Sequence, residues 1–565
     1  MMGSDENAEY DVAVIGGGVN GTGVARDCAL RGLKVVLFER NDLAFGASGN
    51  SSGMIHGGPR YLTMDPDVTY TSCLDSGHIQ KIAPHLLFRV PFILPVNKGR
   101  GSRNELDLLD AFFDVYDKYQ PLKGGKPHVR LRGDEVRSLE PGLAGDLEGG
   151  VTFDEYGVDG VRLCVANALD AAGHGAQVLV PASVTSIQAN QKGCTLGYQL
   201  RQGSSVTGGR VSAKRVVNAT GAWAPLTASF AQLPKDAARV RPGKGIHIYL
   251  DRRISNYAVM VKAIDGRRVF MEPWQNTTVI GTTDDDYYGD LDNVFATRDE
   301  AQYLMQALSG VFPTLKQARP VGTWSGVRPT LFEWGKTEDE LSREHTIVDH
   351  APHGAPGLYS MLGGKLASYR LFAEEMSDTL CQSLGHSARC RTSSSVLPGG
   401  EPALSVQELA SRAGLEPLAA SRILYRHGAR AERILERIER TPADAEVVCI
   451  CEPVTLAEVR EVIESEWATD VDAVSRRTRL GLGPCGGMRC AQRCGQVVAQ
   501  ETGRSPAEGR ELAAEFLRRG LKHRLPVLGP KQVRQEAIAL GHHRAQLGLA
   551  PGGNGDFEGG SKWTS

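Results

Sequence analysis

Two groups of residues have types and spacings that do chemistry. Near the end of the chain, Cys449-Ile-Cys451 and Cys485-Gly-Gly-Met-Arg-Cys490 form a C-x-C and a C-x4-C pair, thirty-three residues apart. Four thiolates are what a tetrahedral zinc site or an iron–sulfur cluster requires, and zinc more often uses C-x2-C knuckles. Near the start, Gly16-Gly-Gly18-Val-Asn-Gly21 follows the apolar run Asp11-Val-Ala-Val-Ile15 and opens a helical stretch over residues 24–32. A second apolar run, Lys34-Val-Val-Leu-Phe-Glu39, then ends in an acid. Strand, glycine turn, helix, strand and acid in that order make a dinucleotide-binding unit. Gly16 permits the turn, Gly18 lets the backbone approach a pyrophosphate, and Gly21 lets helix and strand pack closely. The helix N-terminus offers N–H groups to phosphate, and Glu39 is expected to bind ribose hydroxyls.

Composition bounds what surrounds these groups. At 565 residues the chain is expected to hold two to four domains, and 41% hydrophobic with 23% charged residues is a globular balance. Lys and Arg number 64 against 66 Asp and Glu, so a formal charge of −2 gives no global pull toward nucleic acid or anionic lipid. The first ten residues carry neither a basic nor an apolar region of a secretory signal, and no run approaches the ~20 apolar residues of a membrane span. A soluble, cytoplasmic protein is the expectation. Five of the eleven cysteines fall between positions 449 and 494, which in a reducing compartment points to metal or redox chemistry rather than disulfides.

The elements that must position this chemistry carry a family resemblance. After Glu39 comes a stretch of small residues, Gly46-Ala-Ser48-Gly-Asn-Ser51-Ser52-Gly, suited to bringing backbone N–H groups against a phosphate or a flat ring. Its continuation, Ser51-Ser52-Gly-Met-Ile-His56-Gly57-Gly58-Pro-Arg60-Tyr61, resembles the flavin-facing loop of FAD-dependent glycerol-3-phosphate dehydrogenases. Four more segments follow in that family's order: Lys244-Gly-Ile-His247; Arg267-Arg-Val-Phe-Met-Glu-Pro-Trp274 with Gly281-Thr-Thr-Asp284; Ser325-Gly-Val-Arg328-Pro329; and Gly363-Gly364-Lys365-Leu366-Ala-Ser-Tyr369-Arg370. The resemblance covers roughly residues 8–385 and continues into the C-terminal part.

The resemblance implies an α/β fold: a glutathione-reductase-type, FAD-binding Rossmann domain with an interleaved α+β substrate domain (DAO-like), over residues 8–385. The substrate domain would take the helical stretch 106–119 and the proline-bounded run Val90-Pro-Phe-Ile-Leu-Pro-Val96. The chain would return to the nucleotide domain through a helix at 160–173 and a strand at 176–180. Val184 would then contact adenine through its backbone, and Ala-Thr220-Gly221, ending an apolar strand, would reach the FAD phosphates. The FAD-binding set implied is Gly16, Gly18, Gly21, Glu39, Ser48, Ser51, Ser52, His56, Gly57, Val184, Thr220, Gly221, Gly364 and Leu366.

Residues 386–445 begin with Thr392-Ser-Ser-Ser and Pro398-Gly-Gly, a linker by composition, and continue with helical periodicity at 406–413 and 418–440, which predicts a helical connector. Residues 446–500, with two cysteine pairs around a helical hairpin, resemble the small helical [2Fe–2S] domain of bacterioferritin-associated ferredoxin (BFD-like). The ligands implied are Cys449, Cys451, Cys485 and Cys490, with Cys494, one turn beyond, assigned to packing. Thr455-Leu-Ala-Glu458 reads as a capping box opening a helix over 456–466, and Gly481-Leu-Gly-Pro-Cys485-Gly-Gly as a loop offering N–H groups to sulfur. Residues 501–550 form a C-terminal helical segment, and 551–565, Gly-rich and polar, are expected to be disordered.

A flavin beside an iron–sulfur module implies two-electron oxidation followed by one-electron export. The resemblance makes the substrate sn-glycerol 3-phosphate, oxidised to dihydroxyacetone phosphate. Arg60, Arg343 and Lys365 match the positions that bind phosphate, with Tyr61 as a hydroxyl donor. His247 is the candidate base because an imidazole titrates near neutral pH, and Arg328, with Arg267 second, would stabilise charge developing on the C2 oxygen. Electrons would pass to membrane-associated partner subunits and quinone, leaving this chain peripheral to the inner face of the cell membrane. Ala367, where the family carries a hydroxyl, keeps open an enzyme of the same fold for another polyol phosphate or a 2-hydroxy or amino acid. A third reading is an iron–sulfur electron carrier with the flavin region as scaffold.

Overall fold

The run Glu9–Ile15 is buried along nearly its whole length and Val35–Phe38 throughout, as parallel strands covered on both faces require. They pair in parallel, Val12 with Val35 through to Ile15 with Phe38. In this computed structural model the described residues are 9–63, 65–203, 205–234, 236–336 and 344–549, without the side chain of Arg60. The first sheet runs in the order His345–Asp349, Leu358–Gly363, Ser205–Asn218, Glu9–Ile15, Val35–Phe38, Gln177–Leu179, with Gly193–Gln202 paired to Ser205–Asn218 and Ala182–Asn190 paired to Gly193–Gln202. The helix Val19–Leu30 leaves the glycine turn as expected, and Gly160–Gly173 is capped by the Asp159 carboxylate, which accepts from Val161 and Arg162 N–H.

A second, larger sheet carries the opposite wall of the site, in the order Asp285–Asp286, Val240–Leu250, Thr277–Gly281, Arg268–Trp274, Ala258–Lys262, Leu87–Asn97, Leu147–Val158, Val129–Arg132. Its register puts His247 opposite Gly281, Gly281 opposite Phe270, and Phe270 opposite Met260. These four positions therefore share one face. The helix expected at 106–119 spans Ser102–Tyr116 and buries Phe113 and Tyr116 against Phe153.

The described residues divide into two compact units, one of 9–294, 302–319 and 325–398, the other of 295–301, 320–324 and 399–549. Residues 392–398, most of the stretch expected to be linker, belong to the first unit and are bolted to it. Arg26, ion-paired with Asp170 at 2.6 Å, donates to the Ser395 carbonyl at 2.6 Å. Arg370, paired with Asp75, donates to Thr392 Oγ1 at 3.1 Å; Arg391 reaches the Leu30 carbonyl; and Leu397 is fully buried. Small side chains made this stretch read as linker, yet they let it lie close over buried arginines that need its carbonyls.

The second unit is helical: Val406–Ala413, Pro417–His427, Ala431–Arg440, Leu456–Ser465, Val471–Thr478, Ala491–Glu501, Pro506–Arg524 and Pro530–Gln546. The segments expected as connector, cysteine module and C-terminal helices pack here as one unit. A fully buried carboxylate, Glu458, accepts from Arg426 at 2.6 and 2.7 Å and faces His427 at 3.0 Å. Thr455 Oγ1 caps the Glu458 N–H as predicted, but the Glu458 carboxylate turns to Arg426 instead of closing a capping box. Among the described residues no helix is long and apolar enough to cross a membrane. The tail 551–565 lies outside the described residues.

Candidate functional site

The glycine turn has no room for a side chain at Gly16 or Gly21. Gly16 has φ of +111°, and a Cβ there would lie 2.7 Å from the Ala219 carbonyl oxygen; at Gly21 it would lie 1.9 Å from the carbonyl oxygen of Gly16. Gly18 caps the helix Val19–Leu30 without a side chain, and the Val19 N–H is met by Ser48 Oγ at 3.0 Å. Glu39 accepts from the Gly17 and Asn41 N–H groups, both at 2.7 Å. Burial raises its carboxyl pKa against the pull of these two amides. The acid thus anchors the turn with both oxygens while its side chain lines the cleft.

That cleft, of about 1150 Å3, gathers most of the expected site. Gly16, Gly18, Glu39, Ser48, Ser51, Ser52, His56, Val184, Thr220, Gly221, Gly364 and Leu366 line it, together with Tyr61, Lys365, Arg267 and Arg328. Gly21 and Gly57 stand behind the wall: a Cβ at Gly57 would strike Cys73 Sγ at 2.2 Å and Tyr116 Oη at 2.3 Å. The Arg60 side chain and Arg343 lie outside the described residues.

Cations face the cleft from three directions. Lys365 Nζ lies 3.8 Å from the centroid of the Tyr61 ring. Arg328, on the strand Pro320–Leu331, pairs with Asp284 at 2.7 Å and donates to Thr282 Oγ1 at 3.1 Å. A Cβ at Gly245 would meet this guanidinium at 2.6 Å, so glycine there makes its room. Arg267 is held by Asp285 and Asp265, each at 2.7 Å. Both arginines are about 30% exposed, open enough to receive an anion.

His247 is placed differently from the sequence expectation. It is 2% exposed, does not line the cleft, and its ring packs against Gly281, with Phe270 at 6.3 Å. Burial, with Arg328 adding to it, pushes its pKa down to about 3. The imidazole is neutral at physiological pH but does not titrate near neutrality as the sequence argument assumed. His56, half-buried on the glycine-rich loop, is the imidazole of the cleft lining.

Sequence reasoning missed two acids. Asp284, quoted only as part of a motif, holds Arg328. Glu155 lines the cleft and is paired with the fully buried Lys123. A lone acid in a strand gives no signal of a distant lysine.

In the second unit the four cysteines come together as two pairs. The Cys490 thiol donates to the Cys449 sulfur, and backbone N–H groups of Gly481, Glu452 and Cys451 add to it, holding Cys449 down at about 6. The same contact, with burial, pushes Cys490 up. Cys451 is raised by burial and by neighbouring Cys485. The expected N–H donation from the loop beginning at Gly481 is therefore present. Among the described residues no group of three or more His, Cys, Asp or Glu side chains is gathered tightly enough to hold a metal ion. Cys494 is fully buried in the apolar core.

Comparison with known proteins agrees with this geometry. Residues 11–370 match the family FAD dependent oxidoreductase, and residues 390–509 match the C-terminal domain of alpha-glycerophosphate oxidase. The chain is 33% identical to a subunit of the anaerobic glycerol-3-phosphate dehydrogenase of Haloferax volcanii, over 87% of this chain and 83% of that one. It is 31% identical to a subunit of the anaerobic glycerol-3-phosphate dehydrogenase of Escherichia coli K12, over 97% and 98%. Among solved structures, the glycerol-3-phosphate dehydrogenase from Bacillus halodurans complexed with FAD superposes with a TM-score of 0.71 at 24% identity, covering 92% of this chain and 96% of that one, and so shares the fold.

Proposed function

Since this chain belongs to the FAD dependent oxidoreductase family, we propose that it oxidises sn-glycerol 3-phosphate to dihydroxyacetone phosphate and exports the electrons through a [2Fe–2S] cluster on Cys449, Cys451, Cys485 and Cys490. The observation that carries the reading is a single cleft lined both by the dinucleotide turn and by Lys365, Tyr61, Arg328 and Arg267. The curated relatives, named glycerol-3-phosphate dehydrogenases, support the substrate.

The residues of the cleft fit FAD, while the four cysteines supply the donors of a cluster but stand as two separate pairs. A turn with no room for side chains at Gly16 and Gly21, next to a helix N-terminus, suits a pyrophosphate. Two thiol pairs, one of them receiving three backbone N–H groups on a sulfur, suit a thiolate cluster. Bound FAD would supply a two-electron acceptor and the cluster a one-electron carrier.

Within the cleft, Lys365 and the Tyr61 hydroxyl hold the phosphate dianion, with Arg60 and Arg343 as further cations. Arg328, steadied by Asp284, faces the C2 oxygen, and Arg267 adds a second positive charge. The proton of the C2 hydroxyl goes to an imidazole. Of the two candidates, His56 lines the cleft, whereas His247, on the same sheet face as the cleft-lining Phe270 and Met260, is buried with its ring over Gly281. We assign the proton to His56 and leave His247 as a neutral neighbour of Arg328.

Both relatives are named as one component of a larger dehydrogenase, which supports partner subunits, and to these we assign quinone reduction at the inner face of the membrane. A longer polyol phosphate is the second substrate reading, favoured by the small Ala367 side chain on the cleft wall. Anaerobic titration of the purified, flavin-loaded protein tests the whole. Glycerol 3-phosphate bleaches the flavin and then the cluster absorbance, with about two iron atoms per chain. A flavin untouched by glycerol 3-phosphate but bleached by a longer polyol phosphate would select the second substrate. Iron-free protein with a fully active flavin would remove the cluster.

A further inference from the structure

We propose that Glu155 is a positioning residue for the loop that carries His56, an inference that rests on the oxidoreductase reading above. Glu155 belongs to the strand Leu147–Val158 and is 1% exposed; Lys123, 0% exposed, donates to its Oε2 at 2.6 Å. The Tyr116 hydroxyl donates to Oε1 at 2.5 Å, and Lys123 also reaches that hydroxyl and the Asp154 carbonyl, each at 3.2 Å. The remaining donor on the carboxylate is the Gly57 backbone N–H, at 3.2 Å from Oε2.

The loop around that amide is laced to the same strand. Val158 N–H donates to the Gly53 carbonyl at 2.7 Å and Ile55 N–H to the Tyr156 carbonyl at 2.9 Å, while from the helix Pro66–Ile82 Ser76 Oγ donates to the Ile55 carbonyl at 2.7 Å. Gly57 continues the lacing, but it meets a side chain instead of the strand backbone. A Cβ at Gly57 would collide with Tyr116 Oη and Cys73 Sγ, so the amide is pressed into the cluster and its neighbour His56 is turned to the cleft.

Stability alone does not account for such a pair, because a buried salt bridge replaced by apolar residues of similar volume is often as stable or more so. What an apolar pair cannot do is accept the Gly57 N–H. Lys123 satisfies Oε2 in place of solvent and Tyr116 fixes the rotation of the carboxyl group, so Glu155 holds the loop at one point beside the reacting imidazole.

Two charge-neutral double variants of the FAD-loaded full chain separate this role from a structural one. Lys123→Met with Glu155→Gln keeps an acceptor for Gly57, whereas Lys123→Met with Glu155→Leu removes it. The Gln pair is expected to reduce flavin with glycerol 3-phosphate within about 3-fold of the parent. The Leu pair is expected to fall about 30-fold in kcat with KM changed little, and to shift the acid limb of the pH profile. Hydrogen exchange across residues 55–58 is expected to quicken in the Leu pair only. Parent rate, pH profile and exchange in the Leu pair would overturn the proposal. Should either pair fail to fold, Tyr116→Phe reads the same point: an unchanged rate and unchanged exchange overturn it, and a slower rate with quicker exchange supports it. If glycerol 3-phosphate leaves the parent flavin oxidised, the functional reading fails, and exchange across 55–58 still decides the clamp.

Discussion

The Lys365 ammonium stands 3.8 Å from the centroid of the Tyr61 ring, joining two loops from opposite ends of the catalytic unit at one point of the cleft. Neither loop is rigid by composition, and the contact is worth about 0.5–2 kcal/mol. It holds the ammonium against the tyrosine ring, where both groups would meet the proposed phosphate. Lys365→Met is expected to raise KM for glycerol 3-phosphate about 100-fold by removing the phosphate's cation, and Tyr61→Leu about 3–30-fold. Saturation of anaerobic flavin reduction measures both; an unchanged KM in Lys365→Met would move the phosphate elsewhere in the cleft.

The glycine turn makes a sharper prediction. A methyl group at Gly21 would sit 1.9 Å from the Gly16 carbonyl oxygen, whereas at Gly173, the last residue of its helix, nothing lies within 4 Å. Gly21→Ala is expected to purify without flavin or not to fold, and Gly173→Ala to be yellow and fully active. Flavin content per chain distinguishes them, and a flavin-replete Gly21→Ala would mean that helix and turn pack otherwise.

The two imidazoles give opposite expectations. His56→Ala should cut flavin reduction about 100-fold or more with FAD still bound, while His247→Leu, at a buried position that does not line the cleft, should cost much less. His247 also has a stability signature. Burial moves it down from 6.5 to about 3, and buried His523 from 6.5 to about 4. The unfolded chain therefore binds protons that the folded one refuses between these values. Stability from these neutral imidazoles is complete above about pH 6.5 and is lost as pH falls toward 3 to 4. Thermal midpoints between pH 7 and 4 are expected to fall, less steeply in His247→Leu; equal slopes would mean that His247 is not buried neutral.

What the sequence made legible was local. Gly16 to Glu39 is one continuous strand–turn–helix–strand, and its residues dictate the turn without help from elsewhere. The cysteine pairs were legible for the same reason, each being a few residues of chain. The depth of His247 was not legible because an alternating strand tells which face a side chain takes but not how deep it lies, and depth sets its pKa. The stretch from Thr392 to Pro398 read as linker because its partners, Arg26 and Arg370, lie far away in the chain and look like surface charges. Glu155 with Lys123 is the same blindness in the core: a buried pair is recognised only when both partners are in view.

Glu272 breaks the rule that buried acids are paired. It lies on the strand Arg268–Trp274, opposite Val279, is 0% exposed, and neither carboxyl oxygen has a hydrogen-bond partner among the described residues. Burial pushes its pKa from 4.5 up to about 8. The folded protein thus holds a proton that the unfolded chain has released, so this residue favours folding fully below about pH 4.5 and progressively less as pH rises to 8. Replacing it with an apolar residue of similar size removes both the proton uptake and the two orphaned oxygens. Glu272→Leu is therefore expected to be more stable than the parent by on the order of a few kcal/mol at pH 8, with a smaller gain near pH 5. Thermal midpoints at the two pH values measure the difference. A loss of stability at pH 8 would mean that the carboxyl is ionised in the fold and bound to a cation, which would make Glu272 part of a site instead of an uncompensated core acid.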